Sequence, residues 1–182
     1  MKCIKLISHT GCTFGYTKWG ENVTHTASGT DPNLCSDGFI HFYMDPRIAV
    51  VMNPTHAGFV NPILWEAEYS GKVVHEPLKS GSKTLTTIRQ IPLPEISPTQ
   101  KIAFGIYCAK EVCFDEKWNL WADRWLSGED RTQKSASAAA TYAFAASAAA
   151  SADAVYYYAV YASKKTVNID FIQLLDKAML IK

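Results

Sequence analysis

The stretch Ile91-Pro92-Leu93-Pro94-Glu95-Ile96-Ser97-Pro98-Thr99-Gln100 separates two kinds of sequence in this chain. Prolines at 92, 94 and 98 withhold the backbone donors that a sheet ladder needs. Ser97 to Gln100 then has the form of a capping box with proline at the first helical position. The serine oxygen accepts from the amide three residues on, and Gln100 reaches back to the cap. Strand and turn signals lie before this point and helical signals after it. The expected fold is therefore α+β: a small antiparallel or mixed β-sheet with a short helix over residues 1–94, followed by an alanine-rich helical bundle over 95–182.

Working back from the boundary, residues 84–91 and 72–74 are β-rich. Ile63-Leu64-Trp65-Glu66-Ala67-Glu68-Tyr69-Ser70 alternates apolar with polar residues in the strand period, with Ile63, Trp65, Ala67 and Tyr69 expected to face the core. Gly38-Phe39-Ile40-His41-Phe42-Tyr43 is a further strand that ends at Asp45-Pro46. There Asp45 can cap a short helix whose first residue is proline, running to about residue 52 before Asn53-Pro54. Residues 2–8 and 12–19 form short runs broken by His9-Thr10-Gly11, and turn chemistry fills 20–22 and 28–33.

Working forward, a helix over about 98–112 carries Ile102, Ile106, Ala109 and Cys113 near one stripe. Asp115 caps the next helix, where Trp118, Trp121 and Trp125 stand at i, i+3 and i+7 and share a face. That face is either core or, if open, an apolar patch of the kind that marks a binding surface. Residues 127–130 break the helix. From 131 to 163 alanine predominates, and its high helix propensity argues for helix, broken once near 151–153. Small side chains over 134–163 let helix axes approach closely, which makes this part a compact scaffold; an alanine face serves packing within the subunit or across a homo-oligomer equally. Tyr156, Tyr157 and Tyr158 span every face of one turn, so at least one phenol should reach water or a partner. With Trp118, Trp121 and Trp125 they are the candidate binding residues. Asn168 to Met179 closes the chain as an amphipathic helix with Phe171, Ile172, Leu175, Ala178 and Met179 inward.

Composition removes several function classes. Among 182 residues, 18 Lys and Arg balance 17 Asp and Glu, so no net field draws the chain to nucleic acid or an anionic membrane. The apolar start is too short for a secretory signal, and the 136–162 stretch is rich in Ala, Ser and Tyr with Asp153 inside it, unlike a membrane span. Cys3, Cys12, Cys35, Cys108 and Cys113 are odd in number and lack zinc spacing, which fits a reducing cytosol. The five histidines, His9, His25, His41, His56 and His75, all precede residue 76 without ligand spacing, so no metal is expected. No phosphate loop, nucleophile elbow or kinase signature is present. The remaining catalytic candidates are His41, beside a helix N-terminus whose amides favour an anion, and Glu66 and Glu68, which as strand carboxylates serve as general bases or simply as a solvated face.

Met1-Lys2-Cys3, Cys12, Phe14-Gly15, Cys35 and Gly38-Phe39 resemble a pattern in a group of phage and bacterial proteins, although Ile40 intrudes before His41. Asp37-Gly38-Phe39-Ile40-His41 is similar to the signature of a small bacterial family related to the ADP-ribosyltransferase fold. Residues 102–112, Trp118 to Arg131 and the alanine tract resemble the alanine-rich, immunity-protein-like helical domain of tailed-phage accessory proteins. The helical resemblance implies a small phage protein made in the host cytoplasm, with no activity to carry over. It would bind and inhibit a host or defence-system protein and need no cofactor. The alternative that the N-terminal resemblance implies is an ADP-ribosyltransferase-like enzyme or an NAD- or nucleotide-binding protein, with its site near Tyr16, His41, Tyr43 and Glu66.

Overall fold

The computed structural model describes residues 1–139 and 169–182. The chain divides into two compact units, Met1–Glu95 and Ile96–Lys182.

The first unit is built on antiparallel strands: β1 (Lys2–Ile7), β2 (Val23–Thr26), β3 (Ile40–Phe42), β4 (Ile63–His75) and β5 (Ser80–Ile91). β4 and β5 form one long hairpin. β1 pairs with β4 through Cys3↔Ala67 and Lys5↔Trp65, and β3 pairs with the start of β5 through His41↔Gly81. Tyr43, just past β3, then exchanges both backbone hydrogen bonds with Ile4 at 2.8 and 2.9 Å. The ladder β1–β4–β5–β3 therefore returns to β1, and β2 adds to the same edge of β5 farther along, at residues 84–87. Strands this few can curl into a ring only with strong local bending. β4 supplies it where the register shifts between Ser70 and Val73, opposite a single residue of β5, and Gly71 takes the left-handed conformation (φ 80°) that an L side chain resists.

The ring encloses Cys3, Ile7, Trp19, Phe42, Ala67, Tyr69 and Leu85, with Phe42 stacked on Tyr69 at 4.5 Å between centroids. Lys5 is on the same strand face and is also buried. Its Nζ donates to the His41 carbonyl at 2.7 Å and lies over the Trp19 ring at 5.2 Å. Burial, opposed only by the neighbouring Cys3, lowers this amine to about 8. Helix α1 (Pro46–His56) lies in contact with β1 and buries Ile48, Ala49, Val51 and Met52.

Several local expectations change here. Residues 12–19, read from the sequence only as a short run, form a loop with a 3-10 turn at Phe14–Tyr16. β2 occupies residues 23–26, between the turns expected at 20–22 and 28–33, where no strand was expected, and Thr24 and Thr26 pair their hydroxyls with Thr86 and Thr84 across the ladder. α1 passes its expected end because Pro54 falls in the last turn, and the Asn53 carbonyl takes the amides of Ala57 and Gly58 to close the helix.

In the second unit, α2 (Pro98–Lys110) starts at the complete Ser97/Gln100 capping box, and α3 (Glu116–Ser127) at Asp115, whose carboxylate accepts from the Trp118 amide. Gly128 ends α3 in the left-handed region (φ 83°). α4 (Gln133–Ala139) packs on α3, and α5 (Phe171–Met179) packs on α2. α5 buries Phe171, Leu174, Leu175 and Ala178, an i, i+3, i+4, i+7 stripe, so Leu174 takes the inward place expected for Ile172, which is exposed. Beyond Ala139 the alanine tract lies outside the described residues, and so does the bundle expected of it.

Candidate functional site

Register decides which of the candidate catalytic residues meet. Residues directly opposite one another in an antiparallel ladder point to the same face. Ile4 faces Tyr43 on one side and Glu66 on the other, so Tyr43, Ile4 and Glu66 form one row across three strands. His41, two residues before Tyr43, shares that face. The structure thus brings His41, Tyr43 and Glu66 onto the face opposite the buried ring interior.

Glu66 is held there by charge. Its carboxylate accepts from Arg89 Nε at 2.6 Å and from Lys2 Nζ at 3.1 Å, and these bonds keep it below its ordinary carboxylate value. A carboxylate so stabilised as an anion is a weak base.

Around His41 the chemistry is denser. The His41 Nε2–H donates to the Leu34 carbonyl at 2.5 Å. Tyr43, buried, shares a 3.0 Å hydrogen bond with His56 Nδ1, and the two rings stack at 5.9 Å. Burial lowers His56 to about 4, assisted by the positive charges of Lys79 and His41. Burial also lowers His41; the Leu34 carbonyl opposes this, and Lys79 and Lys5 add to it. Both imidazoles are therefore neutral at physiological pH. Lys79 Nζ stands 2.8 Å from Cys35 Sγ. The helix N-terminus beside His41 is not open to an external anion: the Asp45 carboxylate accepts from the Arg47 amide at 2.7 Å and pairs with its guanidinium at 2.8 Å.

A different feature stands on the loop after β1. Ser8 and Cys12, Thr13 and Thr17, and Gly11 and Trp19 are joined by backbone hydrogen bonds of 2.8–2.9 Å, while the Trp19 indole donates to Thr13 Oγ1 at 2.9 Å and anchors the loop in the core. At its tip, Gly15 (φ 66°) and Tyr16 (φ 57°) are both left-handed. Phe14 and Tyr16 are 98 % and 94 % exposed.

No family model, no curated protein and no solved structure matches this chain. Its site must be read from its own geometry. Among the described residues no group of His, Cys, Asp and Glu could hold a metal ion, and no helix is long and apolar enough to cross a membrane.

The tryptophans of α3 are covered. Trp118, Trp121 and Trp125 are 1 %, 7 % and 4 % exposed, Trp118 and Trp121 touch at 5.9 Å between centroids, and the Arg131 guanidinium lies over Trp125 at 4.9 Å. As placed they are packing residues and offer no surface to a partner. Tyr156, Tyr157 and Tyr158 lie outside the described residues. The signal for the exposed aromatics was a glycine between Phe14 and Tyr16, which breaks the strand period and allows a turn that turns both rings outward.

Proposed function

We propose that this chain acts by binding another protein, with the Phe14-Gly15-Tyr16 tip as its contact element, and that the partner is a host or defence-system protein in the cytoplasm of a phage-infected cell. The observation that carries the reading is the near-complete exposure of two aromatic side chains, on either side of Gly15, on a loop pinned by its own hydrogen bonds. Rings of this kind supply large contact area at small entropic cost, and a loop already held in shape loses little freedom on binding. Tyr16 is a non-glycine residue in the left-handed region; such strain clusters at ligand-contacting positions.

The test is a tagged pulldown from host cells with the wild-type chain and a Phe14→Ser/Tyr16→Ser variant, followed by an activity assay of whatever is captured. A protein retained by the wild type, lost with the variant and inhibited on binding supports the reading. Retention that ignores the double substitution, or nothing above background, removes it.

A second reading is an ADP-ribosyltransferase-like or nucleotide-binding site using His41, Tyr43 and Glu66, favoured by their shared sheet face. It requires Glu66 to leave Lys2 and Arg89. Label transfer from NAD that disappears in His41→Ala would support it, and absence of turnover in the wild type would count against it.

A further inference from the structure

Cys35 and Lys79 are separated by 44 positions yet meet at 2.8 Å between Sγ and Nζ. Sulfur's larger radius puts an ordinary N–H···S contact some tenths of an ångström beyond the ~2.9–3.0 Å typical of N–H···O. This pair is closer than that. Nor is the approach left to two loose side chains. Leu34, next to Cys35, is buried against Gly81, where an added Cβ would collide with the Leu34 side chain and come within 2.9 Å of Phe39. His41 Nε2 donates to the Leu34 carbonyl, and the Glu76 amide donates to the Lys79 carbonyl at 2.9 Å to close the β4–β5 turn. These contacts hold the backbone next to Cys35 and at Lys79. Cys35 itself is exposed, so a small oxidant can reach it.

We propose that Cys35 and Lys79 form a reversible covalent bridge through one oxygen atom, Sγ–O–Nζ, when the protein meets dioxygen or a peroxide. With dioxygen the atoms balance without any other reagent. The S–H bond and one amine N–H break, S–O and O–N bonds form, and the second oxygen atom leaves as water with the two hydrogens. Sulfur and nitrogen each give up two electrons, and the two oxygen atoms accept all four. A thiolate–ammonium pair carries the same protons as a thiol and an amine, so either form is a competent start. Reduction by dithiols returns the four electrons and four protons and releases water. The bridge fastens the 27–39 loop to the end of the β4–β5 hairpin, as a disulfide would, at a place with one cysteine. It also consumes the Lys79 ammonium that faces His41 and His56.

The experiment is peptide mapping by mass spectrometry of the purified full chain, reduced and after peroxide treatment, natively and in denaturant. The expected product is a linked pair of peptides containing Cys35 and Lys79, heavier than their sum by one oxygen less two hydrogens, formed only in the folded protein and undone by a dithiol. Cys35→Ser should leave Lys79 unmodified. Lys79→Arg keeps the charge but should send Cys35 to sulfenic and sulfinic acid, the route also expected of Cys12, whose Sγ has the Thr10 carbonyl at 3.9 Å and no lysine among its hydrogen-bond partners in the described residues. If wild-type Cys35 is recovered only as those acids, as a disulfide or unchanged, with Lys79 intact, the bridge is overturned. Linkage that forms equally when the peroxide treatment is carried out in denaturant would remove the structural argument.

Discussion

Aromatic residues meet opposite fates in two regions of this molecule. On α3 three tryptophans at helical spacing are buried, whereas on the loop after β1 a phenylalanine and a tyrosine flanking one glycine are almost wholly exposed. The difference lies in the backbone. A helix gathers residues three and four apart onto a stripe that a second helix can cover. A three-residue turn with two residues left-handed has no second layer and points its side chains away from the chain that carries it. Large apolar side chains left outward on a rigid loop gain nothing for the fold, and so are the better candidates for a binding role.

The largest effect that would break this contrast is at the helix. Trp118→Ala should destabilise the second unit by about 3–5 kcal/mol in chemical denaturation, as for other buried aromatic truncations. Trp118→Phe should cost much less, because the buried Trp118 indole N–H has no hydrogen-bond partner among the described residues and its removal abandons none there. Equal losses for the two would mean that the ring's area is not what stabilises α3.

Acid should separate the two units next. His56 and His41 are both held below their ordinary value, His56 at about 4 against 6.5, so the unfolded chain binds more protons between those limits. The stability they support is full above pH 6.5 and falls as pH drops toward 4. His56 accounts for roughly 2 kcal/mol after allowance for its partial exposure. Hydrogen exchange resolved by peptide should show the 1–95 unit opening over that window while 96–182, which contains no histidine, is unmoved by this contribution. His56→Gln should flatten the response.

Lys5 gives a gain of similar or smaller size. Its amine is at about 8 in the folded chain against 10.5, so the charged form carries a burial cost at neutral pH that fades as pH rises from 8 toward 10.5. Lys5→Met loses the bond to the His41 carbonyl but should still raise stability by about 1–2 kcal/mol at pH 7. The advantage should vanish above pH ~10. The smallest effect belongs to the tip: Phe14→Ser and Tyr16→Ser should each change stability by less than about 0.5 kcal/mol, since neither side chain is packed. A larger loss would show that the tip is structural.

Local chemistry made much of the fold legible. Asp45 before Pro46, Ser97 through Gln100 and Asp115 each signal a helix start through a side chain within three residues of the amide it satisfies, and each cap forms as the spacing implies. The 63–70 alternation located β4 but not its length, because Gly71 reads as a stop and acts as a bulge. β2 was hidden, since Val-Thr-His-Thr has little apolar content and depends on threonines 58 and 62 positions away. The candidate site was harder still. Nothing near residue 43 announces that Ile4 will lie between Tyr43 and Glu66, or that Cys35 will meet Lys79. Such pairings come from the way the hairpin bends, which is a property of the whole ring.

That closure has a kinetic consequence. β1 precedes everything it bonds to: its partners are Tyr43 and residues 63–68, and its own residues have little to pair with before β4 exists. Non-local pairing of this kind is slow to form, whereas the hydrogen bonds within α2, α3 and α4 are local and α3 packs on α4 close in sequence. In refolding, helical signal should therefore recover first, and the amides of Ile4 and Tyr43 should be among the last to gain protection.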